Sequence, residues 1–519
     1  MSHFTSTLSP AYHQNYVFED EDYGNNETEQ LHSGYYVESS SLSQNIAPFM
    51  SSHQTGLVRH YLDHVLRRQY LLADTSIAQF IIRTVQENPA VRDAVCLLAS
   101  LHRESLRHGH NYLPAAAAAM TDALVLQNDA STDYSKTYKR ICTNLRTSAA
   151  GGYTEGEAMA GLFVVSAFLF RGGRGAWQEF LSVAADWVWA VLHGGGDPAE
   201  TIMRCSDSQQ FIIKTTFWFD ILASTTRLQP PRFLDIYRAL WSSSAYIEVA
   251  TGGGSSSRRQ RQEQQQQRGP LSMMSVMGCE NSTALAIAEI SALACWKEAH
   301  ARQGTLSVPE LVDRGRAIES ECLAHPSPTP AHPTTTTAAS GGPASGGDGG
   351  VLYGAGAAAA ADMELAEKRR LTADIFRATA RVYLHSVLSG EYPGCPEIRD
   401  GVQDTIECLR RVPAGGHGPH QHQQQQQEGL QQSNVSRSVL RSVVFGICLC
   451  GCLTDDYAER EFLLRRLDEE QAEGVGNCSE ARGVMEQVWS RRVAGGTGGS
   501  SLSWRDAMQQ FGGESLLLV

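Results

Sequence analysis

Apolar side chains recur along this chain every three to four residues, the spacing that places them on one face of a helix. Leu57, Tyr61, Leu62, Val65, Leu66 and Tyr70 form the first such stripe, with Arg59, Arg67 and Arg68 off it. A second helix is expected over 76–86. Asn88-Pro89 then interrupts the pattern, and Pro89, lacking an N–H, suits the first turn of the next helix. That helix is expected to reach about residue 107 and to bury Val91, Val95, Leu98 and Leu101. Pro114 opens an alanine-rich helix expected to end near residue 126. The same period predicts helices over 134–147, 155–170, 175–193 and 209–226. It continues over 281–303, 308–323, 363–388 and 396–411, and again over 435–453, 457–473, 479–492 and 503–511. No stretch alternates with period two between turn signals, so strands are not expected.

Low-complexity segments punctuate these helices: Gly/Ser then Arg/Gln near 251–270, Pro/Thr/Ser/Gly/Ala near 326–360, Gly/His/Gln near 413–433, and a short Gly/Ser stretch near 494–501. Loop-closure entropy grows only logarithmically, so insertions need not divide a fold. The expected architecture is all-α: one large, irregular domain of stacked helical hairpins over 57–519, interrupted by disordered loops. Residues 1–56 differ in kind. They carry no Lys or Arg, but seven acids (Glu19, Asp20, Glu21, Asp22, Glu27, Glu29 and Glu38) interleaved with Tyr12, Tyr16, Phe18, Tyr23, Tyr35 and Tyr36. This composition predicts a disordered acidic tail, of the kind in which charge keeps aromatic groups available to a partner groove, as in transcriptional activation segments.

Among the 519 residues, 42% are hydrophobic and 19% charged, as in a globular protein, and the net charge of −13 argues against a chain that coats nucleic acid. The apolar runs 158–170 and 443–453 fall short of the roughly 20 residues a membrane span needs and read as core helices. The start of the chain lacks the order of a secretory signal. Several of the 12 cysteines, including Cys96, Cys142 and Cys295, lie within apolar runs. They are expected to be reduced, in the cytosol or nucleus.

Candidate chemistry is sparse. Cys448-Leu449-Cys450-Gly451-Cys452 has the wrong spacing for a zinc site and turns successive sulfurs to different helix faces, so core cysteines are expected. His417, His420 and His422 adjoin a glutamine run, where geometry is not fixed. His102, His108 and His110 flank a helix end without a carboxylate or cysteine nearby and read as surface or capping groups. Asp220, within Phe217-Trp218-Phe219-Asp220-Ile221-Leu222, reads as a buried hydrogen-bond anchor. Glycines at 172–175 and 194–196 follow apolar helices and read as terminators. Arg258-Arg259-Gln260-Arg261 could be reached by a nuclear import receptor, and Lys368-Arg369-Arg370 reads as a solvated helix face. No phosphate loop, dinucleotide fingerprint, nucleophile elbow or zinc-protease element is present. No catalytic, cofactor-binding or metal-ligating residue is assigned.

Four blocks together give the chain a family likeness. They are the paired helices and Asn88-Pro89 break of 57–106; Thr216–Leu222 with Arg227 and Pro230-Pro231-Arg232-Phe233; Ala286–Lys297 continuing through Leu311 to Leu323; and Gly451-Cys452, Arg460-Glu461-Phe462, Gly476-Asn477, Met485, Val488-Trp489 and Trp504. In these the chain resembles the fungal-specific transcription factor domain, a helical regulatory domain usually found downstream of a binuclear zinc-cluster DNA reader. The resemblance implies control of activity, dimerisation or effector sensing. The reader needs six cysteines with basic residues, and residues 1–56 contain neither. The expectation is therefore a nuclear transcription regulator, not an enzyme, without an evident zinc-cluster reader. It would act through protein partners (the transcription machinery or a DNA-binding family member), as a homo- or heterodimer, or through a small effector. A cytosolic helical scaffold is the second reading. A terpenoid-synthase-like enzyme, for which only Asp455-Asp456 speaks, is the third.

Overall fold

A computed structural model describes residues 50–73, 76–108, 133–149, 151–194, 196–241, 271–324, 352–413, 439–471, 476–495, 503–512 and 516–519. All of them lie in one compact unit, Ile46–Val519. Among the described residues the regular structure is entirely helical. The 114–126 helix, His110, His417, His420, His422, the 258–261 cluster and the acidic segment 1–49 lie outside them.

Helix α1 (Ser52–His60) begins before the first apolar stripe because Ser51 and Gln54 close a capping box on its amino end. The stripe continues through a π-helical turn, Tyr61–Val65, into α2 (Leu66–Gln69). Next come α3 (Ser76–Glu87) and α4 (Pro89–His108), with Asn88 capping α4 through its side-chain oxygen to Ala90 and Val91 N–H. Helices α5 (Asp133–Ser148), α6 (Glu155–Phe170) and α7 (Trp177–His193) follow. The apolar run 158–170 is the spine of this half: α6 is buried on nearly every side, packed against α4 and α7. Gly161 lets α6 and α7 approach so closely that a Cβ there would stand 2.8 Å from the Phe180 carbonyl oxygen.

Short α8 (Pro198–Arg204) leads to α9 (Asp207–Arg227) and α10 (Leu234–Trp241). The second half comprises α11 (Met274–Met277), α12 (Asn281–Gln303), α13 (Val308–Ile318) with a π-helical turn Glu319–Leu323, and α14 (Leu352–Ser389). It ends with α15 (Pro396–Arg410), α16 (Val444–Cys452), α17 (Tyr457–Gln471), α18 (Cys478–Gly495) and α19 (Trp504–Gly512). Helices α12–α13 and α14–α15 form hairpins, and contacts of α9 and of α10 with α12 join the halves. No helix among the described residues is long and apolar enough to cross a membrane.

Three differences from the sequence pattern have physical causes. Helix α14 starts at Leu352, inside the segment expected to be a loop through 360, because the alanine run 357–361 favours helix. The helix expected over 435–453 is broken at Val443, whose backbone leaves the helical region. Helices α8, α10 and α11 are too short for their period to stand out.

Long-range ties close the domain. Arg174 meets Glu480 at 2.5 Å, with both side chains only 8% exposed. Residues Leu516 to Leu518 are buried, held by Leu517 N–H to the Gly173 carbonyl (2.9 Å) and Asn477 Nδ2 to the Leu517 carbonyl (2.7 Å).

Candidate functional site

The motif around Asp220 positions α10, whose Arg238 and Trp241 line a cavity. Helix α9 buries Phe217, Trp218, Ile221 and Leu222 and turns Asp220 toward the segment that follows. There its carboxylate accepts from the Arg232 N–H (3.1 Å), the Phe233 N–H (3.3 Å) and the Tyr237 hydroxyl (2.8 Å). Asp220 is thus the hydrogen-bond anchor expected of it, and it fixes where α10 begins. Burial pushes its pKa up, and these hydrogen bonds act in the opposite direction. Pro230 and Pro231 restrict the approach to the anchor. Tyr237 stacks on Trp241 (centroids 5.1 Å apart) and meets Phe217 edge-on at 4.8 Å, so the orientation of Trp241 follows from that of Asp220.

Between α10, α12 and α13 lies a cavity of about 440 Å³. Leu285, Leu293 and Ile318 supply apolar walls, and the indoles of Trp241 and Trp296 border it from different helices. Arg238 is held by Glu289 through two hydrogen bonds (2.5 and 2.8 Å) and by Asp235 at 3.1 Å. Arg314 lies 4.4 Å from the centre of the Trp296 ring and pairs with Glu310 at 2.8 Å. Glu321 is exposed and makes no ion pair among the described residues. Burial pushes the Cys322 thiol up to about 12, and the carboxylates of Glu289 and Glu321 add to that rise. A second cavity, about 90 Å³, is lined by apolar groups such as Leu169, Trp218 and Val444 together with the polar Gln69, Ser166, Thr215 and Asn477.

The histidines are arranged differently from the sequence reading. His102 is buried, not a surface or capping group, because α1 and the π-helical turn bring His60 and His64 against it. Its Nδ1 lies 2.9 Å from His60 Nε2, and His64 completes a cluster with ring centres 4.8 Å from His60 and 6.5 Å from His102. Burial lowers the His60 pKa to about 4, helped by His64, Arg103 and Arg68. Among the described residues, no three His, Cys, Asp or Glu side chains are placed to hold a metal ion.

Cys448, Cys450 and Cys452 are buried core side chains, as their spacing implied. Lys368-Arg369-Arg370 is not simply a solvated face: Arg369 turns inward to the carbonyls of Leu72 and Ser275, while Lys368 pairs with Glu364 and Arg370 with Glu367. Asp455 pairs with Arg460 and Arg492, and Asp456 caps the Glu459 N–H. Gly451, Arg460 and Trp489 of the C-terminal block meet in space. Trp489 Nε1 donates to the Gly451 carbonyl at 2.8 Å, with the Arg460 guanidinium 4.9 Å from the Trp489 ring centre. That block is a packing knot.

Against known proteins, the fungal specific transcription factor domain matches residues 56–519. Transcription factor phomR of Diaporthe leptostromiformis is 27% identical over 312 residues, covering 58% of this chain and 44% of the relative. The chain thus matches less than half the length of that relative. Trichothecene biosynthesis transcription regulator TRI10 of Fusarium sporotrichioides is 21% identical over 479 residues, 88% of this chain and 96% of the relative. Its namesake in Trichoderma arundinaceum is 30% identical over 145 residues, 28% of this chain and 26% of the relative. No solved structure matches.

Proposed function

The chain belongs to the fungal-specific transcription factor domain family, and from that premise we propose that it is a transcription regulator acting in the nucleus through its helical domain. The observation that carries this reading is the end-to-end likeness to a named regulator, matched over 96% of that relative's length. Two relatives are named for the control of a biosynthesis, and a biosynthetic gene set is the proposed target class here.

Regulation would pass through protein partners: the transcription machinery, or a DNA-binding member of the same family in a homo- or heterodimer. Residues 1–56 hold neither cysteine nor Lys or Arg, so they cannot themselves form a zinc-cluster reader. Their acids and aromatics fit recruitment of a coactivator. A small effector is the other proposed input, and the cavity bordered by Trp241 and Trp296 is where the domain has room for one. No residue is assigned a catalytic role.

The test is chromatin association in cells, with and without depletion of zinc-cluster family members. Association lost on depletion supports a regulator carried by a DNA-binding partner. No association under any condition favours the cytosolic scaffold. Residues 1–56 fused to a heterologous DNA-binding domain should activate a reporter, and silence there removes the coactivator role.

A further inference from the structure

We infer that the cavity between α10, α12 and α13 binds a small organic cation, a lipophilic amine or onium ion, between two indoles with its charge beside Glu289 and Glu321. The proposal deepens the effector reading and rests on it for biological meaning, but the binding can be measured without transcription.

Size comes first. At about 440 Å³ the cavity falls within the range of small-molecule sites, roughly 300–1,000 Å³, and its walls are largely aliphatic and aromatic, as in such sites. Charge comes next. The two guanidinium groups at the cavity, Arg238 and Arg314, are already held by Asp235, Glu289 and Glu310. Glu321 remains as an exposed carboxylate with no ion pair among the described residues, so the lining charge left unengaged is negative. The thiol of Cys322 registers the same field, since both carboxylates raise its pKa.

An anion would meet that field unfavourably, and a neutral ligand would gain nothing from it. A cation gains from Glu321 directly and from the negative face of an indole. An apolar cation also gives up less hydration on entering than a compact ammonium does. The same preference already operates in the wall, where the Arg314 guanidinium lies over Trp296 at 4.4 Å.

The test is isothermal titration calorimetry on the purified full chain with methyltriphenylphosphonium and its neutral counterpart, triphenylphosphine oxide. The phosphonium should bind saturably at one site, about fivefold or more tightly than the oxide. Glu321→Gln should weaken the phosphonium about threefold to fivefold, the scale of an exposed ion pair, and leave the oxide unchanged. Ala292→Trp, which fills the cavity, should abolish binding of both. Because Glu321 is exposed, its substitution reports even where the tryptophan variant fails to fold.

No saturable phosphonium binding overturns the proposal, as do equal affinities for the two probes or insensitivity to Glu321→Gln. Binding that appears only after excision of residues 243–268 assigns the cavity to that arginine-containing stretch of the chain and also overturns it. A chain that binds phosphonium but never associates with chromatin keeps the site and loses the regulatory reading.

Discussion

Replacing Asp220 with alanine removes the acceptor on which α10 depends, and the loss can be sized from the groups left behind. The Tyr237 hydroxyl is fully buried, and its remaining acceptor is the Phe217 carbonyl at a long 3.4 Å. Stranding a buried donor costs about 1–3 kcal/mol. The Arg232 and Phe233 N–H groups lose the carboxylate that caps the start of α10, a further ~1 kcal/mol on the scale of helix caps. Burial already raises the Asp220 pKa, so its removal recovers part of a desolvation cost, which keeps the total near 3 kcal/mol. Urea unfolding followed by tryptophan fluorescence measures it. Asp186→Ala is the control, because Asp186 pairs with the same Arg232 at 2.7 Å but is 50% exposed, and should cost under about 1 kcal/mol. Phosphonium affinity should fall with Asp220→Ala, since α10 carries Arg238 and Trp241 to the cavity. Equal destabilisation by the two substitutions would refute the anchor.

Glu480→Gln should destabilise the fold by about 1–3 kcal/mol, because it removes the charge-assisted hydrogen bond to the buried Arg174 guanidinium, and calorimetric melting would show it. Gly161→Ala drives a methyl against the Phe180 carbonyl and should cost about 1–3 kcal/mol, read from the denaturation midpoint; an unchanged midpoint means that α6 and α7 can part freely. The His60 pKa falls from 6.5 to about 4 on folding, so the unfolded chain binds the proton more tightly. The contribution of His60 is therefore fully present above pH 6.5 and is lost progressively as the pH drops toward 4. His60→Gln should flatten the stability profile in that window, and an unaltered profile would remove His60 as its cause.

The helices were legible in the sequence wherever a long apolar face was buried against neighbours, as in α6 and α12, whose limits match the period. The capping box at Ser51 and the alanine run entering α14 act through the backbone rather than through an apolar face, so periodicity placed both boundaries wrongly. Asp220 could be read as an anchor because a lone acid in an apolar run needs donors. Its donors could not be named, since they lie beyond a turn. The cavity was out of reach for a related reason. Trp241, Trp296 and Glu321 sit on elements separated by long stretches of chain, and no local pattern pairs them. His102 shows the converse error. Its neighbours in sequence suggested a surface group, while His60, 42 residues earlier, is its partner in space.

The tie between Arg174 and Glu480 spans 306 residues of chain. A ribosome adding about 5–20 residues per second needs roughly 15–60 s to deliver the second partner after the first. Through that interval the corner after α6 waits for the Glu480 carboxylate that Arg174 will meet and the Leu517 N–H from which the Gly173 carbonyl will accept. A nascent chain arrested before residue 476 should therefore still present this corner to chaperones, and one in which Leu517 has emerged should not.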